Sequence, residues 1–531
     1  MHLSIKTAFF FIAFSILSIG DLSSQEAIDL ETFDGEMINA KIRVYHSSET
    51  LSGIEALEQI RKGAMPETNL KINAGMTFPE DSYWLTFQIV NSDKESKDAF
   101  IVLDYPQLDY LDLFEVREDT IHNLYQTGDQ YAFDQRPVSA RNFVLPVSIS
   151  NSDTAEYLMH LQKYNSTMRF PIYVYEAANY QKQYFNSNLK YSLYFGFILL
   201  ISISAMALGF IVNKSVFKIY SLYVLSFALW LFTRLGYSYQ FLVSEFPEFN
   251  RHLLAAAGQL AIMMLIFYVR SFFKTKESLP RFHKVMDVVL IIFVIGAITW
   301  ITWPDKYVEY ATNLFLLRYS LFLIAVVFAF TAAIHHRKVN RFKSRMFLLA
   351  YSLFLSAIVG KILMDYGLFR EDKLLFDPIQ LGFLIEVIVL SIAMGVILKQ
   401  TLSKSKEVVQ EHEQLKRQME VKEEVIRNGY LKLNSKAVVS IDNISYIKSD
   451  DHYLEFYFKE GQKEIDRNSL SQLVDSLPPN FIQTHRSYVI NLNHARILFA
   501  DRVVMNGGEE VRLSRSYKKK FQDQLNGIKS N

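Results

Sequence analysis

The sequence contains no cysteine, and this absence excludes several kinds of chemistry. Disulfides, thiolate zinc sites, cysteine nucleophiles and a lipoprotein cysteine anchor are all ruled out. Charged residues are also scarce, at 21% of the 531 residues against 50% hydrophobic residues. This composition is too apolar for a disordered chain and directs attention to membrane spans. The net charge of +1 excludes a uniformly basic or acidic protein, but it can hide opposite charges in different regions.

The first 24 residues have the pattern of an export signal. Lys6 precedes an uncharged run over residues 8–20, and the polar segment 21–25 follows. The run is shorter than the roughly 20 residues that span a bilayer, but it suits the hydrophobic region of a signal peptide. We predict a cleaved signal over residues 1–24, with an uncleaved anchor as the lesser alternative.

Long apolar stretches between residues 188 and 399 predict seven membrane spans. They cover residues 188–212, 216–241, 251–272, 284–303, 308–334, 343–368 and 377–399. The loops after the first, third and fifth spans carry twelve basic residues and one acidic residue, whereas the other three loops carry four basic and seven acidic residues. Because short cytoplasmic loops accumulate Lys and Arg, this alternation places the N-terminus outside and the C-terminus in the cytoplasm.

Residues 25–187 form an acidic region with a strand-like pattern. They hold 25 Asp or Glu against 13 Lys or Arg, which gives no electrostatic basis for binding nucleic acid. Short aromatic and β-branched runs, such as residues 83–89 and 110–116, are separated by polar turns and predict an all-β sandwich. The aromatic residues that could stack on a sugar are Trp84, Tyr105, Tyr110 and Tyr131. Aromatic residues in strands usually belong to the core, so we assign no binding residue here.

Residues 83–91, Tyr-Trp-Leu-Thr-Phe-Gln-Ile-Val-Asn, lie in an exported β domain that seven spans follow directly. This arrangement resembles the bacterial seven-transmembrane receptors with diverse intracellular signalling modules. The resemblance implies a jelly-roll-like outer domain that binds an extracytoplasmic ligand, with a carbohydrate as one candidate. It also implies a multi-pass protein of the bacterial inner membrane whose output depends on the module after the last span.

Five ionisable residues fall within or near the predicted spans, where charge is costly and often functional. They are Arg234, Arg318, Lys361, Asp365 and Glu386. Lys361 and Asp365 are four residues apart, which is one helical turn, so they could form a pair. Lys361, Asp365 and Glu386 are our candidates for an intramembrane polar site, and a buried structural pair explains Lys361 and Asp365 equally well.

Residues 400–427 predict a helix that links the membrane region to the C-terminal region. Its potential seam follows a 4-3-4-3-4 spacing through Val408, His412, Leu415, Met419, Lys422 and Ile426. This spacing favours a parallel coiled coil and therefore a homodimer, with a plain spacer helix as the alternative.

His412 raises the question of an enzyme, because a phosphoacceptor histidine on a dimeric helix is typical of histidine kinases. The residues that follow contain no Gly-rich nucleotide lid, and Lys416 stands where a zinc-protease motif needs its second histidine. We find no catalytic residues and no reason to expect a cofactor or a metal.

Residues 428–531 predict a mainly-β domain without a helix-turn-helix. Residues 444–448 and 453–458 have strand patterns, 469–477 form a short amphipathic helix, and Asn506 begins a hairpin turn. Counted from residue 427, this region carries 16 Lys or Arg against 12 Asp or Glu. The basic residues cluster around predicted strand ends.

Four segments of this region carry a second resemblance. They are Ile-Ser-Tyr-Ile-Lys-Ser-Asp-Asp-His-Tyr at 444–453, Asn-Ser-Leu at 468–470, Phe-Ile-Gln-Thr-His-Arg-Ser-Tyr-Val-Ile-Asn at 481–491 and Val-Arg-Leu-Ser-Arg-Ser-Tyr at 511–517. In this order they resemble a LytTR DNA-binding domain, a family that reads double-stranded DNA with loops from a β fold. Position by position, the resemblance implies that His452, Arg486 and Arg515 reach the grooves. Lys518 and Lys519 are then suited to phosphates.

Two functional hypotheses follow from these features. The first is a membrane-anchored one-component transcriptional regulator that senses a signal and binds promoter DNA. The alternative is a seven-transmembrane receptor whose basic cytoplasmic domain docks a protein partner instead of DNA. A steep fall of affinity with salt and a dependence on DNA sequence would distinguish the first from the second.

Overall fold

The computed structural model describes residues 27–32, 35–63, 73–76, 81–118, 120–163, 167–302, 311–365 and 376–529. The predicted signal over residues 1–24 lies outside them. The chain divides between residues 398 and 399 into two compact units.

The outer part of the first unit consists of eleven described strands and one helix. The strands are β1 (Ile28–Asp29), β2 (Arg43–Ser47), β3 (Asn73–Met76), β4 (Ser82–Val90), β5 (Lys97–Leu103), β6 (Tyr110–Arg117), β7 (Thr120–Thr127), β8 (Phe143–Ile149), β9 (Thr154–Gln162), β10 (Thr167–Arg169) and β11 (Ile172–Glu176), and the helix is α1 (Gly53–Arg61). One sheet has the order β1-β4-β9-β6-β7 with β2 also paired to β4, a second has the order β11-β5-β8, and β3 pairs with β10.

Strand β4 shows why this region folds as a sandwich. Tyr83, Leu85, Phe87 and Ile89 alternate along it and join the buried core shared with the β11-β5-β8 sheet. Trp84 points to the opposite face, where it packs beneath α1 and stacks on His160 with ring centroids 4.3 Å apart. Both faces of this strand are therefore buried, and the predicted β sandwich is confirmed.

Helices coincide with all seven predicted spans in the described residues. These helices are α2 (Ala177–Ile211), α3 (Ser215–Arg234), α5 (Pro247–Phe273), α7 (Pro280–Thr302), α8 (Ala311–His336), α9 (Arg341–Asp365) and α10 (Pro378–Asn428), with the short α4 (Tyr237–Phe241) and α6 (Thr275–Ser278) between them. Five of them, α2, α3, α5, α9 and α10, are long and apolar enough to cross a membrane. Their outward faces keep large apolar side chains exposed, as expected for contact with lipid.

The second span ends at Arg234 instead of residue 241, and Gly236 is the reason. Its φ of +82° is in the left-handed region, which favours glycine and ends the helix. A Cβ at this position would also lie 2.6 Å from the Cβ of Pro106, so the outer domain approaches the helix end too closely for a larger residue.

Hydrogen bonds fasten the outer domain to the connection between α3 and α5. Arg141 donates to the Leu235 carbonyl (3.3 Å), and Gln107 donates to the Arg234 carbonyl (3.1 Å). The Tyr239 hydroxyl donates to the Tyr131 carbonyl. The sandwich is thus held against the bundle by side chains from both parts.

The second unit contains, after α10, ten described strands and two helices. They are β12 (Tyr430–Lys432), β13 (Val438–Ser440), β14 (Ile444–Asp450), β15 (Tyr453–Phe458), β16 (Lys463–Asp466), α11 (Leu470–Val474), β17 (Phe481–His485), β18 (Tyr488–Asn491), β19 (Ala495–Leu498), β20 (Arg502–Met505), β21 (Glu510–Arg512) and α12 (Arg515–Lys529). The central sheet has the order β16-β15-β14-β18-β17, and β19-β20-β21 form a smaller sheet.

Two cores cover opposite faces of the central sheet. In β14, Ile447 joins the core beneath α11, while its neighbour Tyr446 joins the core formed with the smaller sheet and α12. Val489 and Ile490 of β18 divide in the same way. The mainly-β prediction is confirmed, but α12 is an addition that the strand pattern did not indicate.

Candidate nucleic-acid interface

Two turns lie at the same end of the central sheet. His452 is exposed in the turn between β14 and β15, where Asp451 has a φ of +55°. Arg486 is exposed in the turn between β17 and β18. Strands β14 and β18 are antiparallel neighbours, and the Ser449 amide donates to the Ser487 carbonyl (2.8 Å). This pairing brings the turns of His452 and Arg486 to one end of the sheet, which we call the interface edge.

The beginning of α12 joins the interface edge. The Ser514 amide donates to the Thr484 carbonyl (2.9 Å), which places the exposed Arg515 beside the end of β17. Lys518 and Lys519 follow one helical turn later, so they lie on the same side of α12 as Arg515. Lys519 is exposed and Lys518 is half-buried. The structure therefore brings together the three elements that carry the five residues that the sequence predicted to bind DNA.

Arg486 and Arg515 have no carboxylate partner among the described residues, as is also true of Lys459 and Arg496. Lys463, in contrast, lies 2.7 Å from Glu455, and Lys448 lies 3.5 Å from it. Unpaired guanidinium groups keep their hydrogen-bond donors available for an anionic ligand.

Glu455 is the carboxylate that forms ion pairs with Lys448 and Lys463. Lys463 donates to it first, followed by the Tyr457 hydroxyl (2.8 Å), and these hydrogen bonds lower the pKa of Glu455. The same carboxylate raises the pKa of Lys448 and of Lys463. This network stabilises the β14–β16 part of the sheet, so we assign it no role in DNA contact.

His485 is a further member of the interface edge that the sequence prediction did not include among its site residues. Partial burial, followed by the positive charges of Arg486 and Arg512, lowers the pKa of its imidazole. Burial is the largest of these causes, and the two arginines add positive charge beside the imidazole. The only sequence signal for His485 was its position beside Arg486 in the His-Arg-Ser-Tyr segment.

The candidate polar residues of the membrane region have separate partners. Lys361 forms an ion pair with Asp377 (3.1 Å), which also lies 3.6 Å from Arg234. Glu386 is fully buried and accepts a hydrogen bond from the Tyr223 hydroxyl (2.6 Å). The side chains of Arg318 and Asp365 lie outside the described residues, and with them the predicted pairing of Lys361 and Asp365.

Asp377 is the partner that the spacing argument missed, because it precedes the last span instead of lying one turn from Lys361. Within the described part of the chain, no group of three or more His, Asp or Glu side chains could hold a metal ion.

Three family models match consecutive parts of the chain. Residues 41–176 match the second extracellular domain of seven-transmembrane receptors with diverse intracellular signalling modules, and residues 187–396 match the seven-transmembrane region of the same receptors. Residues 434–526 match the LytTr DNA-binding domain. The chain therefore carries the outer and membrane regions of this receptor type together with a LytTR domain. The receptor lies in the bacterial inner membrane, with the sandwich outside and the LytTR domain in the cytoplasm.

Solved structures also share sequence with part of the chain. A LytTr DNA-binding domain from Bacillus cereus is 27% identical to the receptor, with a TM-score of 0.17, and the match covers 18% of this chain and 94% of that one. No curated protein matches the receptor significantly. The matched families make it a membrane-associated DNA-binding regulator.

Proposed function

We propose that the receptor is a one-component transcriptional regulator that binds promoter DNA while it remains in the membrane. The observation that carries this proposal is the interface edge of the LytTR domain. Arg486 and Arg515 lie there without carboxylate partners among the described residues, and His452 lies in the neighbouring turn. An unpaired arginine can donate two hydrogen bonds to one guanine edge, so these side chains are suited to reading sequence.

Lys518 and Lys519 have a different proposed role. Lysine presents a compact charge that neutralises a phosphate without distinguishing one base from another. Because both residues lie one turn beyond Arg515 on α12, they would contact the backbone beside the base that Arg515 reads. Affinity and specificity then depend on different side chains of the same helix.

A dimer would suit a cytoplasmic domain that reads two half-sites. The apolar seam residues of 400–427 include Val408, Leu415 and Met419, which are 56%, 52% and 66% exposed in the single chain. Exposed apolar residues at heptad spacing favour association with a second helix of the same kind. We therefore propose a homodimer through residues 400–427.

We also propose that the outer sandwich or the bundle detects the signal. The hydrogen bonds of Arg141 and Gln107 to the end of α3 give the outer domain a direct connection to the membrane helices. A ligand that shifts the sandwich would therefore also shift these helices. We assign the outer domain to residues 25–187, the membrane bundle to 188–399, the linking helix to 400–427 and the DNA-binding domain to 428–531.

Genome-wide recovery of DNA crosslinked to the full-length receptor tests the proposal. We expect discrete peaks that share a repeated motif and that disappear in an Arg486→Ala/Arg515→Ala variant. Lys459→Ala is the matched control, because Lys459 is exposed at the opposite end of β15 from His452. Peaks that are absent under several growth conditions, together with no binding of the purified receptor to random duplex pools, would instead favour a protein partner.

A further inference from the structure

A cavity of ≈ 1000 Å³ lies between the outer sandwich and the membrane helices. Its walls include Asp104 and Arg141 from the sandwich, Lys190 from α2 and Gln380 from α10. Cavities of this size accommodate small-molecule ligands, and they occur preferentially where two structural parts meet. We call this space the junction cavity.

Within the bundle, the junction cavity is lined by polar side chains such as Tyr223 and Gln259, by the Lys361–Asp377 ion pair, and by a group of apolar side chains. The apolar side chains are Phe227, Ile262, Leu265, Phe354, Leu355 and Ile358. They come from α3, α5 and α9, three of the helices that cross the membrane. An alkyl chain is the ligand group that gains most from such a lining, because every CH₂ removed from water contributes favourably.

The charged groups at the outer side of the cavity are not equivalent. Arg141 forms an ion pair with Asp104 (3.4 Å). The ammonium group of Lys190 lies over the Tyr191 ring, 4.5 Å from its centroid, and no carboxylate of the described residues is within ion-pair distance of it. A half-buried cation that has no ion pair of its own, with Arg141 and Asp104 nearby, is suited to an anionic group.

Gln380 supplies an independent indication of a polar ligand group. Its side chain is fully buried and lines the cavity. The Tyr191 hydroxyl interacts with its amide, and the amide oxygen makes no hydrogen bond with the described residues. The Tyr194 hydroxyl donates to the backbone carbonyl of Gln380 (3.0 Å) and fixes its position. Buried amides are normally satisfied, so the Gln380 amide oxygen is suited to a ligand group that donates a hydrogen bond.

We infer that the junction cavity binds an amphiphile with an anionic head group and an alkyl chain. The head group would contact Lys190, and the polar group that links it to the chain would contact Gln380. The alkyl chain would contact the apolar side chains of the bundle. This inference rests on the proposed sensing function and gives that function a ligand class. Gln380 lies in the first turn of α10, the helix that continues through residues 400–427, so the ligand would contact that helix directly. A membrane lipid or a free alkyl carboxylate could supply this chemistry.

Equilibrium binding of radiolabelled dodecanoate to the full-length receptor in phosphatidylcholine nanodiscs tests this inference. We expect saturable binding, about tenfold weaker in Lys190→Gln because a charge-assisted contact is lost. Lys182→Gln is the matched control on the same helix, since Lys182 is exposed and does not line the cavity, and it should bind as the wild type does. Ala261→Phe places a large side chain in the cavity and should reduce binding without changing charge.

Dodecyltrimethylammonium serves as the charge-reversed competitor and should not displace dodecanoate. Unsaturable uptake, wild-type affinity in Lys190→Gln, or equal competition by the ammonium compound would each overturn the inference. Nanodiscs that contain phosphatidylglycerol identify the source: displacement of dodecanoate supports a membrane lipid, and no displacement supports a free amphiphile. DNA binding is measured on the same preparations. If the protein binds DNA but not dodecanoate, only the inference about the cavity is rejected. If it binds dodecanoate but not DNA, only the proposed function is rejected.

Discussion

The backbone amide of Ser514 donates a hydrogen bond to the carbonyl of Thr484, over 2.9 Å. These residues are distant in the sequence, yet Arg515 and Arg486 lie within two positions of them. The bond therefore places two arginines from different elements at the interface edge of the LytTR domain. It also connects the beginning of α12 to the end of β17.

The two kinds of basic residue on α12 should differ in their effect on specificity. Arg515→Ala should weaken binding to the recovered motif by about 5–150-fold, the equivalent of about 1–3 kcal/mol, and should weaken binding to random duplex much less. Fluorescence anisotropy with both duplexes measures the difference, and Lys459→Ala should leave both affinities unchanged. An equal loss on both duplexes would move Arg515 to the phosphate-binding class.

Lys518 and Lys519 should instead affect how strongly DNA affinity depends on salt concentration. Each phosphate contact releases counterions when DNA binds. Removing one phosphate contact should therefore make the negative slope of log affinity against log salt less steep by about 0.9. Lys518→Ala and Lys519→Ala should each reduce the slope by roughly that amount, on specific and random duplex alike. Titrations at several salt concentrations provide the slopes. Unchanged slopes in both variants would show that these lysines do not contact phosphates.

His485 should make DNA binding depend on pH. Its pKa in the free domain is depressed by burial and by Arg486 and Arg512, whereas nearby phosphates would raise it in the complex. Binding then takes up a proton, so affinity should rise as pH falls through the bound-state pKa and level off below the free-state pKa. Affinity measured from pH 8 to pH 5 tests this, and His485→Gln should flatten the profile. A wild-type profile that is already flat would remove His485 from the interface.

Glu455 should make the LytTR domain less stable in acid. Its pKa is lowered by Lys463 and Tyr457, so its contribution is present above the ordinary glutamate pKa of about 4.3 and is lost as pH falls through the lower, folded-state value. Glu455→Gln should unfold more easily at pH 7, by about 1 kcal/mol, and should lose less stability on acidification. Denaturant unfolding followed by circular dichroism gives both quantities. Parallel pH profiles for the two proteins would contradict the prediction.

Adjacent valines provide a matched test of the proposed dimer. Val408 lies on the predicted seam and Val409 does not, although they are 56% and 53% exposed in the single chain. Val408→Asp should shift the full-length receptor toward the monomer because a charge at a core heptad position prevents packing, while Val409→Asp should leave the dimer intact. Mass photometry in nanodiscs distinguishes the two states. The same behaviour in both variants would favour a plain spacer helix.

The patterns that the sequence predicted correctly are those that repeat along one element. Alternation in β4 and the long apolar runs depend on local spacing, and both give the observed class of structure. Two features escaped this reasoning for different reasons. Asp377 pairs with Lys361 through the packing of helices, which local spacing does not show. The pattern of α12 is local, with Tyr517, Phe521 and Leu525 at four-residue spacing, but the intervening lysines obscure it.

In the candidate DNA interface, some features are also visible in the sequence and others depend on the fold. His452, Arg486 and Arg515 could be named from short segments, but their meeting at the interface edge depends on the pairing of β14 with β18 and on the Ser514–Thr484 bond. The absence of carboxylate partners for the two arginines, among the described residues, also depends on the three-dimensional arrangement. Sequence reasoning therefore proposed these side chains, and only the fold shows which charges in the domain are already paired.

Both faces of the central sheet in the LytTR domain are covered by separate cores. A sheet enclosed in this way leaves mainly its ends for contact with another molecule, and the residues at such an end contribute little to the packing of either core. His452 and Arg486 can consequently be exchanged during evolution without loss of a folded domain. Receptors with the same architecture could then acquire new sets of regulated genes through changes in a few turn residues, while the interior stays constant.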